Sequence, residues 1–165
     1  MRNFGMKRAL LGAAIAVLAM NASAAQAATA TGTAKARILR QITLTNTSDL
    51  QFATIISGAT ASTVAVSTAG AATCGSGLTC TGTTTAANFD IQGTSGAVVL
   101  VGGDSSVTLN GSLGGNMTAA LSYSATNVTL SATGGSFKVG GTLSVGANQA
   151  SGDYSGTFNV TANYQ

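Results

Sequence analysis

The sequence predicts an all-β protein whose antiparallel strands form a sandwich or a barrel. Apolar residues recur at every second position in many short segments, which is the spacing of strands with one buried face. Glycine-rich stretches separate these segments, as turns do between strands. No stretch after residue 27 has the apolar spacing of three and four that an amphipathic helix needs.

The first 27 residues have the composition of a secretory signal peptide. Basic residues precede an apolar run over residues 9–20, which is shorter than the about 20 residues that span a membrane. Small residues suited to cleavage follow, and we favour cleavage after the pattern that contains Ala25 and Ala27. A retained membrane anchor is the alternative. Residues 28–165 are therefore predicted to be exported.

The charge of residues 28–165 is balanced. Four basic residues, Lys35, Arg37, Arg40 and Lys138, oppose four acidic ones, Asp49, Asp90, Asp104 and Asp153. The basic character of the full chain comes from its first residues and gives no reason to expect a nucleic-acid partner. Low net charge also leaves self-association unopposed, as suits a protein that assembles. We predict one sandwich domain, residues 39–165, and a separate strand before it.

That separate strand is residues 28–38, where small or apolar residues alternate with threonine and basic residues. Its apolar row is Ala28, Ala30, Gly32, Ala34, Ala36 and Ile38. Lys35 and Arg37 lie on the opposite face, and Arg40 follows closely. These charges either protect an exposed edge in solvent or fix the register against a neighbouring subunit.

About nine or ten short strands are predicted to form the sandwich. Ile42 and Leu44 continue the first strand, and the others are marked by Leu50, Phe52, Thr54 and Ile56; Val64 and Val66; Phe89 and Ile91; residues 97–101; Val107 and Leu109; Met117, Ala119, Leu121 and Tyr123; Val128 and Leu130; Phe137 and Val139; and Leu143 and Val145.

Turns are predicted between these strands. Asn110-Gly111 favours a tight hairpin turn. The glycine pairs at 102–103, 114–115, 134–135 and 140–141 are interpreted as turns or bulges. A phosphate-binding role is not indicated, because no Lys-Ser or Lys-Thr and no helix follows them.

The chain ends on a long alternation, residues 154–164. Its apolar row is Tyr154, Gly156, Phe158, Val160, Ala162 and Tyr164. A strand of this length needs a neighbour along each edge, because open edges recruit other chains. Alternating strands at both ends of the exported chain allow the first strand of one subunit to complete the sheet of the next.

Cys74 and Cys80 are the only cysteines, and in an exported protein they predict a disulfide. Closing so short a loop contributes about 2 kcal/mol in the chain-entropy model. No metal site is expected, because the chain has no histidine and no carboxylate close to the cysteines. No cofactor is predicted either.

Catalysis is not predicted. The chain has neither histidine nor glutamate, and its four aspartates are scattered over turns and one polar strand face. General acid–base chemistry draws mainly on such side chains. The expectation is that the protein is not an enzyme.

Four segments together resemble a secreted proteobacterial β-sandwich family that is known only as a domain of unknown function. They are Ala-Thr-Ala-Thr-Gly-Thr-Ala-Lys-Ala-Arg-Ile at 28–38, Asp-Leu-Gln-Phe at 49–52, the stretch from Val139 to Ala150, and Gly-Asp-Tyr-Ser-Gly-Thr-Phe-Asn-Val-Thr-Ala-Asn-Tyr at 152–164. The resemblance covers nearly all of residues 28–165 and implies no particular activity.

More distantly, the chain is similar to archaic chaperone–usher pilins of the spore-coat-U type. They share an alternating amino-terminal extension, an early Leu-x-Phe and a Gly-x-Tyr ending followed by alternating apolar residues. The resemblance implies an immunoglobulin-like antiparallel sandwich that lacks one strand, which a chaperone and then the extension of another subunit supply. By position, the donor residues are Ala30, Gly32, Ala34, Ala36 and Ile38, and the acceptor edge is Phe158, Val160, Ala162 and Tyr164.

Two functions remain open after this comparison. The first is an exported structural subunit of a surface filament or coat. Its implied partners are copies of itself or related subunits, a periplasmic chaperone and an outer-membrane usher. It would pass through the periplasm to the cell surface or the medium. The second is a monomeric surface or periplasmic binding module, for example for glycan, whose first strand pairs with its own last strand.

Overall fold

The computed structural model describes residues 27–165, and that range contains strands and no helix. The predicted signal peptide therefore lies almost wholly outside the described residues. The strands are β1 (Thr43–Ser48), β2 (Thr54–Ile56), β3 (Ser62–Val66), β4 (Ala72–Cys74), β5 (Thr79–Thr81), β6 (Ala87–Gln92), β7 (Val98–Gly103), β8 (Ser106–Gly111), β9 (Asn116–Tyr123), β10 (Asn127–Thr129), β11 (Gly135–Val145), β12 (Tyr154–Ser155) and β13 (Val160–Tyr164). The all-β prediction is confirmed.

The largest sheet is antiparallel and is built around β11. The first half of β11 pairs with β6, and its second half pairs with β3 on one edge and β9 on the other. Beyond these neighbours, β1 pairs with β6, β4 with β3, β8 with β9, and β12 with β8. The order along the sheet is β1-β6-β11-β9-β8-β12, and β3 and β4 lie beside the second half of β11.

Two smaller antiparallel sheets complete the fold, one in the order β10-β7-β13 and the other formed by β2 and β5. Within residues 27–165, no strand pairing joins these two sheets to each other. The disulfide between Cys74 and Cys80 is confirmed, and it joins β4 of the large sheet to β5 of the small one. The two-stranded sheet is thus held to the large sheet by a covalent bond.

The sandwich has two core clusters. The first core cluster consists of Phe52, Val64, Val66, Val107, Met117, Ala119, Leu143 and Val145. The second core cluster consists of Ala87, Phe89, Ile91, Val99, Val101, Leu130, Phe137 and Val139. Leu50, Leu121 and Phe158 pack against both clusters and connect them. This layered arrangement of antiparallel sheets confirms the predicted sandwich.

Residues 37–165 contact mainly one another and form one compact unit. Residues 27–38 lie in no strand, and each of them is exposed. The strand predicted at 28–38 is therefore not formed in the single chain, and its formation with a partner stays a prediction. The register predicted for Ile42 and Leu44 is confirmed, since both pack against the second core cluster.

The predicted alternation of Leu50, Phe52, Thr54 and Ile56 is wrong in its second half. Ile55 packs against the first core cluster, whereas Ile56 is 61% exposed. Ala53, with φ of 63°, lies between the two halves. A single residue in the left-handed region shifts the side-chain alternation by one position, so the inward face passes to the odd-numbered residue.

Two glycine predictions also need correction. Gly140 and Gly141 lie inside β11 and are buried, so this pair is not a turn. A Cβ at Gly140 would meet the Val66 carbonyl oxygen, and the pair is needed for close packing. The β8–β9 hairpin is confirmed, but its turn follows Asn110-Gly111, with positive φ at Gly114 and Gly115.

Candidate strand-acceptor site

The last strand of the chain, β13, has an open edge. β13 pairs with β7 on one side, and no strand of the described residues pairs with its other side. The predicted acceptor residues, Phe158, Val160, Ala162 and Tyr164, are half-buried and pack against the second core cluster. They share one inward row, and their role as an acceptor edge stays a prediction.

The open edge carries free backbone groups at alternate residues. The Gln165 N–H donates to the Val98 carbonyl, which marks the odd-numbered residues as those that bond to β7. Val160, Ala162 and Tyr164 therefore direct their backbone N–H and C=O groups away from β7. An unpaired row of this kind is a template for another strand.

The long alternation at 154–164 forms two strands, because the chain changes sheets. β12 pairs with β8 in the large sheet, and β13 pairs with β7 in the small one. Asp104, between β7 and β8, holds the crossing: its carboxylate accepts the backbone N–H of Asn159 at 2.7 Å. Its own N–H donates to the Asn159 carbonyl at 3.0 Å.

A pocket of about 710 Å³ opens over the first core cluster. One wall is residues 50–57, which include β2, and the other is residues 149–154, which lead into β12. Its apolar floor comes from three strands of the large sheet and consists of Leu109, Met117, Leu143 and Val145. Asp153 is the one charged residue of the lining.

The pocket is closed at one end, where its two walls meet. The Asn148 N–H donates to the Gly58 carbonyl at 2.8 Å, and the Ser57 hydroxyl donates to the Gln149 carbonyl at 3.2 Å. β2, which belongs to the first of these walls, pairs with β5. The pocket is thus a slot between two walls that are hydrogen-bonded to each other at one end.

The wall at 149–154 is fixed by Tyr154. Its hydroxyl donates to the Ala150 carbonyl at 2.7 Å and accepts the Gln149 side-chain amide at 2.8 Å. The opposite wall is fixed by the disulfide, since Cys80 of β5 lies opposite Ile55 of β2. Both walls are therefore held in place by contacts within the single chain.

A separate contact holds the start of the compact unit. The Tyr164 hydroxyl donates to the Arg40 carbonyl at 2.6 Å and accepts the Thr94 N–H at 2.8 Å. The Arg40 N–H in turn donates to the Thr94 hydroxyl at 2.7 Å. Arg40 is thereby held at the carboxyl end of β13, and the extension begins from this point.

One ionisable side chain near β13 has a perturbed pKa. Burial raises the pKa of the Tyr123 hydroxyl above 10, and the negative charge of Asp104 raises it further. The hydroxyl donates to the Asp104 carbonyl at 2.8 Å. Tyr123 is therefore a neutral donor that helps to hold the β7–β8 connection beside the crossing of the last strand.

Side chains that could bind a metal ion do not cluster in the part of the chain that the structure describes. Residues 27–165 contain no group of three or more His, Cys, Asp or Glu side chains that could hold a metal ion. Over the same residues, no helix has the length and apolar character needed to cross a membrane.

The predicted site residues thus fall into distinct places. Of the predicted acceptor residues, Val160, Ala162 and Tyr164 lie in one row of β13, and Phe158 lies just before it. Cys74 and Cys80 are bonded to each other. The predicted donor residues Ala30, Gly32, Ala34, Ala36 and Ile38 are exposed. The sequence did not reveal the slot, because its walls are about 100 residues apart in the chain. The Leu50-x-Phe52 and Asp153-Tyr154 patterns mark its two walls and were the available signal.

Comparison with known proteins adds a family and no activity. The sequence matches the family described as a domain of unknown function, DUF4402, over residues 42–164. No curated protein and no solved structure matches the chain.

Proposed function

The chain belongs to the DUF4402 family, and we propose that it is an exported structural subunit of a surface filament or coat. In this proposal, residues 28–38 of one subunit pair with the open edge of β13 in another. The observation that carries the proposal is the outer edge of β13. It presents free backbone groups above a half-buried apolar row, while an exposed alternating segment lies at the other end of the exported chain.

Backbone hydrogen bonds would supply most of the affinity. The donor residues are mainly alanine and glycine, which bury little apolar area at about 25 cal/mol per Å². Each backbone hydrogen bond contributes about 1 kcal/mol net, and an added strand makes several at once. Small donor side chains also suit an acceptor row that contains the large side chains of Phe158 and Tyr164.

The resemblance to chaperone–usher pilins supports the same proposal. A subunit with an open edge is prone to unspecific pairing, and a periplasmic chaperone would cover that edge until an outer-membrane usher joins the subunits. Export through the periplasm agrees with the predicted signal peptide and with the disulfide between Cys74 and Cys80, which oxidising compartments favour.

The test is deletion of residues 28–36 from the exported chain. We expect soluble monomers that keep the β-sandwich spectrum and the unfolding transition, whereas the full chain forms ladders on an unboiled denaturing gel. Ladders that persist after the deletion would contradict strand exchange.

A matched pair of substitutions sharpens the test. Ala34→Asp places a charge in the donor row and should abolish the ladders, because an unpaired charge is costly in an apolar groove. Thr33→Asp places the same charge on the opposite face and should leave the ladders in place. Equal behaviour of the two variants would count against insertion of the even-numbered row.

The slot supports a second candidate, a binding module for a small ligand such as a glycan. Its volume of about 710 Å³ lies within the usual range of ligand sites, about 300–1,000 Å³. Gln51, Gln149 and Asp153 would offer hydrogen bonds at its rim. Saturable binding of an oligosaccharide to the chain that lacks residues 28–36, measured by calorimetry, would favour this candidate.

A further inference from the structure

Ile38 is an unusual residue for the surface of a single subunit. Its side chain is 94% exposed, and it is the only large aliphatic residue of the segment 28–38. The other members of its row are alanine and glycine. A lone exposed isoleucine at the end of a small-residue strand is available for burial against another surface.

The slot is an apolar cavity without a large side chain to fill it. Its floor consists of Leu109, Met117, Leu143 and Val145. The row that would pass along β13 consists of alanine and glycine, and such side chains leave a cavity of about 710 Å³ mostly empty. Filling of apolar cavities is favourable, because lining atoms regain dispersion contacts.

A single subunit does not place Ile38 in its own slot, because the Ile38 side chain is exposed and absent from the slot lining. Arg40 is bonded to Tyr164 and Thr94, and Ile38 lies two residues away, which is at most about 7 Å. The residues on either side of it, Arg37 and Leu39, line a smaller cavity beside Tyr164, and no residue of that cavity lines the slot. The slot of a second copy has no such restriction.

Charge also favours this match between two copies. Asp153 is the charged residue of the slot lining, and it lies where the slot leads into β12. In the extension, Arg37 directly precedes Ile38, and Lys35 lies two residues before Arg37, on the same face of the alternation. Basic side chains beside Ile38 would therefore approach a carboxylate at the rim of the slot.

We propose that Ile38 of one subunit occupies the slot of a second subunit, and that this contact sets the register of strand donation. The inference rests on the proposed function, since it assumes that the extension pairs with another copy. It adds which side chain anchors the extension and which cavity receives it.

This anchor has a consequence for register. With Ile38 in the slot and the extension antiparallel to β13, Ala28 lies opposite Tyr164 and Gly32 opposite Val160. Residues 33–37 then follow the crossing from β13 to β12. Residues 28–38 then match residues 154–164 in length. The large acceptor side chains meet alanine and glycine, and the large donor side chain meets the open slot.

Substitution of Ile38 gives the first test. Ile38→Ala should raise the concentration at which half of the full chain sediments as polymer by roughly 30-fold, given the usual cost of truncating a buried isoleucine. The control is Leu113→Ala, since Leu113 is 76% exposed and does not line the slot. It should leave that concentration unchanged. An unchanged concentration for Ile38→Ala would overturn the anchor.

Crosslinking between two singly substituted full chains gives the second test. Arg37→Cys in one chain and Asp153→Cys in the other should form a covalent dimer on oxidation, identified by peptide mass mapping. A second mixture pairs Arg37→Cys with Asn163→Cys, at the far end of β13, and should form none.

The two mixtures separate the anchor from the proposed function. Dimers with Asn163→Cys and none with Asp153→Cys would overturn the anchoring of Ile38 but leave strand exchange standing. Absence of dimers from both mixtures would overturn strand exchange together with the anchor.

Discussion

β11 and β13 carry the same kind of alternation, yet one is enclosed and the other is open. β11 pairs along both edges, and its inward residues Phe137, Val139 and Leu143 are at most 2% exposed. β13 pairs along one edge, and its inward row is only half-buried. Alternation therefore shows which face of a strand is buried but not how many neighbours the strand has.

The largest contrast is expected between a truncation in β11 and one just before β13. Phe137→Ala should lower the free energy of unfolding by about 3–5 kcal/mol, because Phe137 is buried and stacks on Phe89 with ring centroids 5.3 Å apart. Phe158→Ala should lower it by clearly less in the monomer, since Phe158 is half-buried. Urea unfolding of both variants measures the difference, and equal losses would show that β13 is already enclosed.

Proline substitutions should distinguish the two edges of β13. Asn163→Pro removes a bond to β7 and should destabilise the monomer by about 1–3 kcal/mol. Ala162→Pro removes an N–H from the outer edge and should instead suppress assembly while the monomer stays folded. Urea unfolding and sedimentation read out the two effects. If both variants still assemble, the outer edge of β13 is not used for assembly.

Removal of the disulfide should loosen one wall of the slot. Paired Cys74→Ser and Cys80→Ser should lower the free energy of unfolding by about 2 kcal/mol. Hydrogen exchange should quicken in β2 and β5, which the disulfide connects to the large sheet, and should stay unchanged in β7 and β13. Uniformly faster exchange over the chain would contradict a local role.

A smaller effect is expected at the start of the compact unit. Tyr164→Phe removes the bonds to Arg40 and Thr94 and should cost about 1 kcal/mol. It should also quicken proteolysis at residues 37–41, which mass spectrometry detects. An unchanged cleavage pattern would mean that Arg40 is held without the tyrosine hydroxyl.

The smallest effect is a pH dependence from Tyr123. Its pKa is raised in the folded chain, so the unfolded chain loses this proton first as pH rises above about 10. Stability contributed by Tyr123 is therefore complete below pH 10 and declines above it. Tyr123→Phe should show a shallower loss of unfolding free energy over that range in urea titrations.

Much of the fold could be predicted because its strands follow local rules. In β6, Phe89 and Ile91 are buried, and Asp90 between them is not, as period-two spacing requires. The cysteine pair was predicted because export favours disulfides. These predictions needed no knowledge of which strands become neighbours.

The remaining features depend on long-range neighbours. Ala53 reverses the side-chain alternation, although alanine gives no sign of a left-handed backbone. Gly140 and Gly141 resemble a turn, but they lie where β11 changes partners and is buried on both faces. The slot forms only when residues 50–57 meet residues 149–154.

The closed end of the slot has a consequence for geometry on a larger scale. Because Ser57 and Asn148 seal it, a chain that enters from the open side must stop at a fixed depth. Every junction in a polymer joined this way would have the same length. Such a polymer would show a constant axial rise per subunit, which layer lines in images of the filaments would reveal.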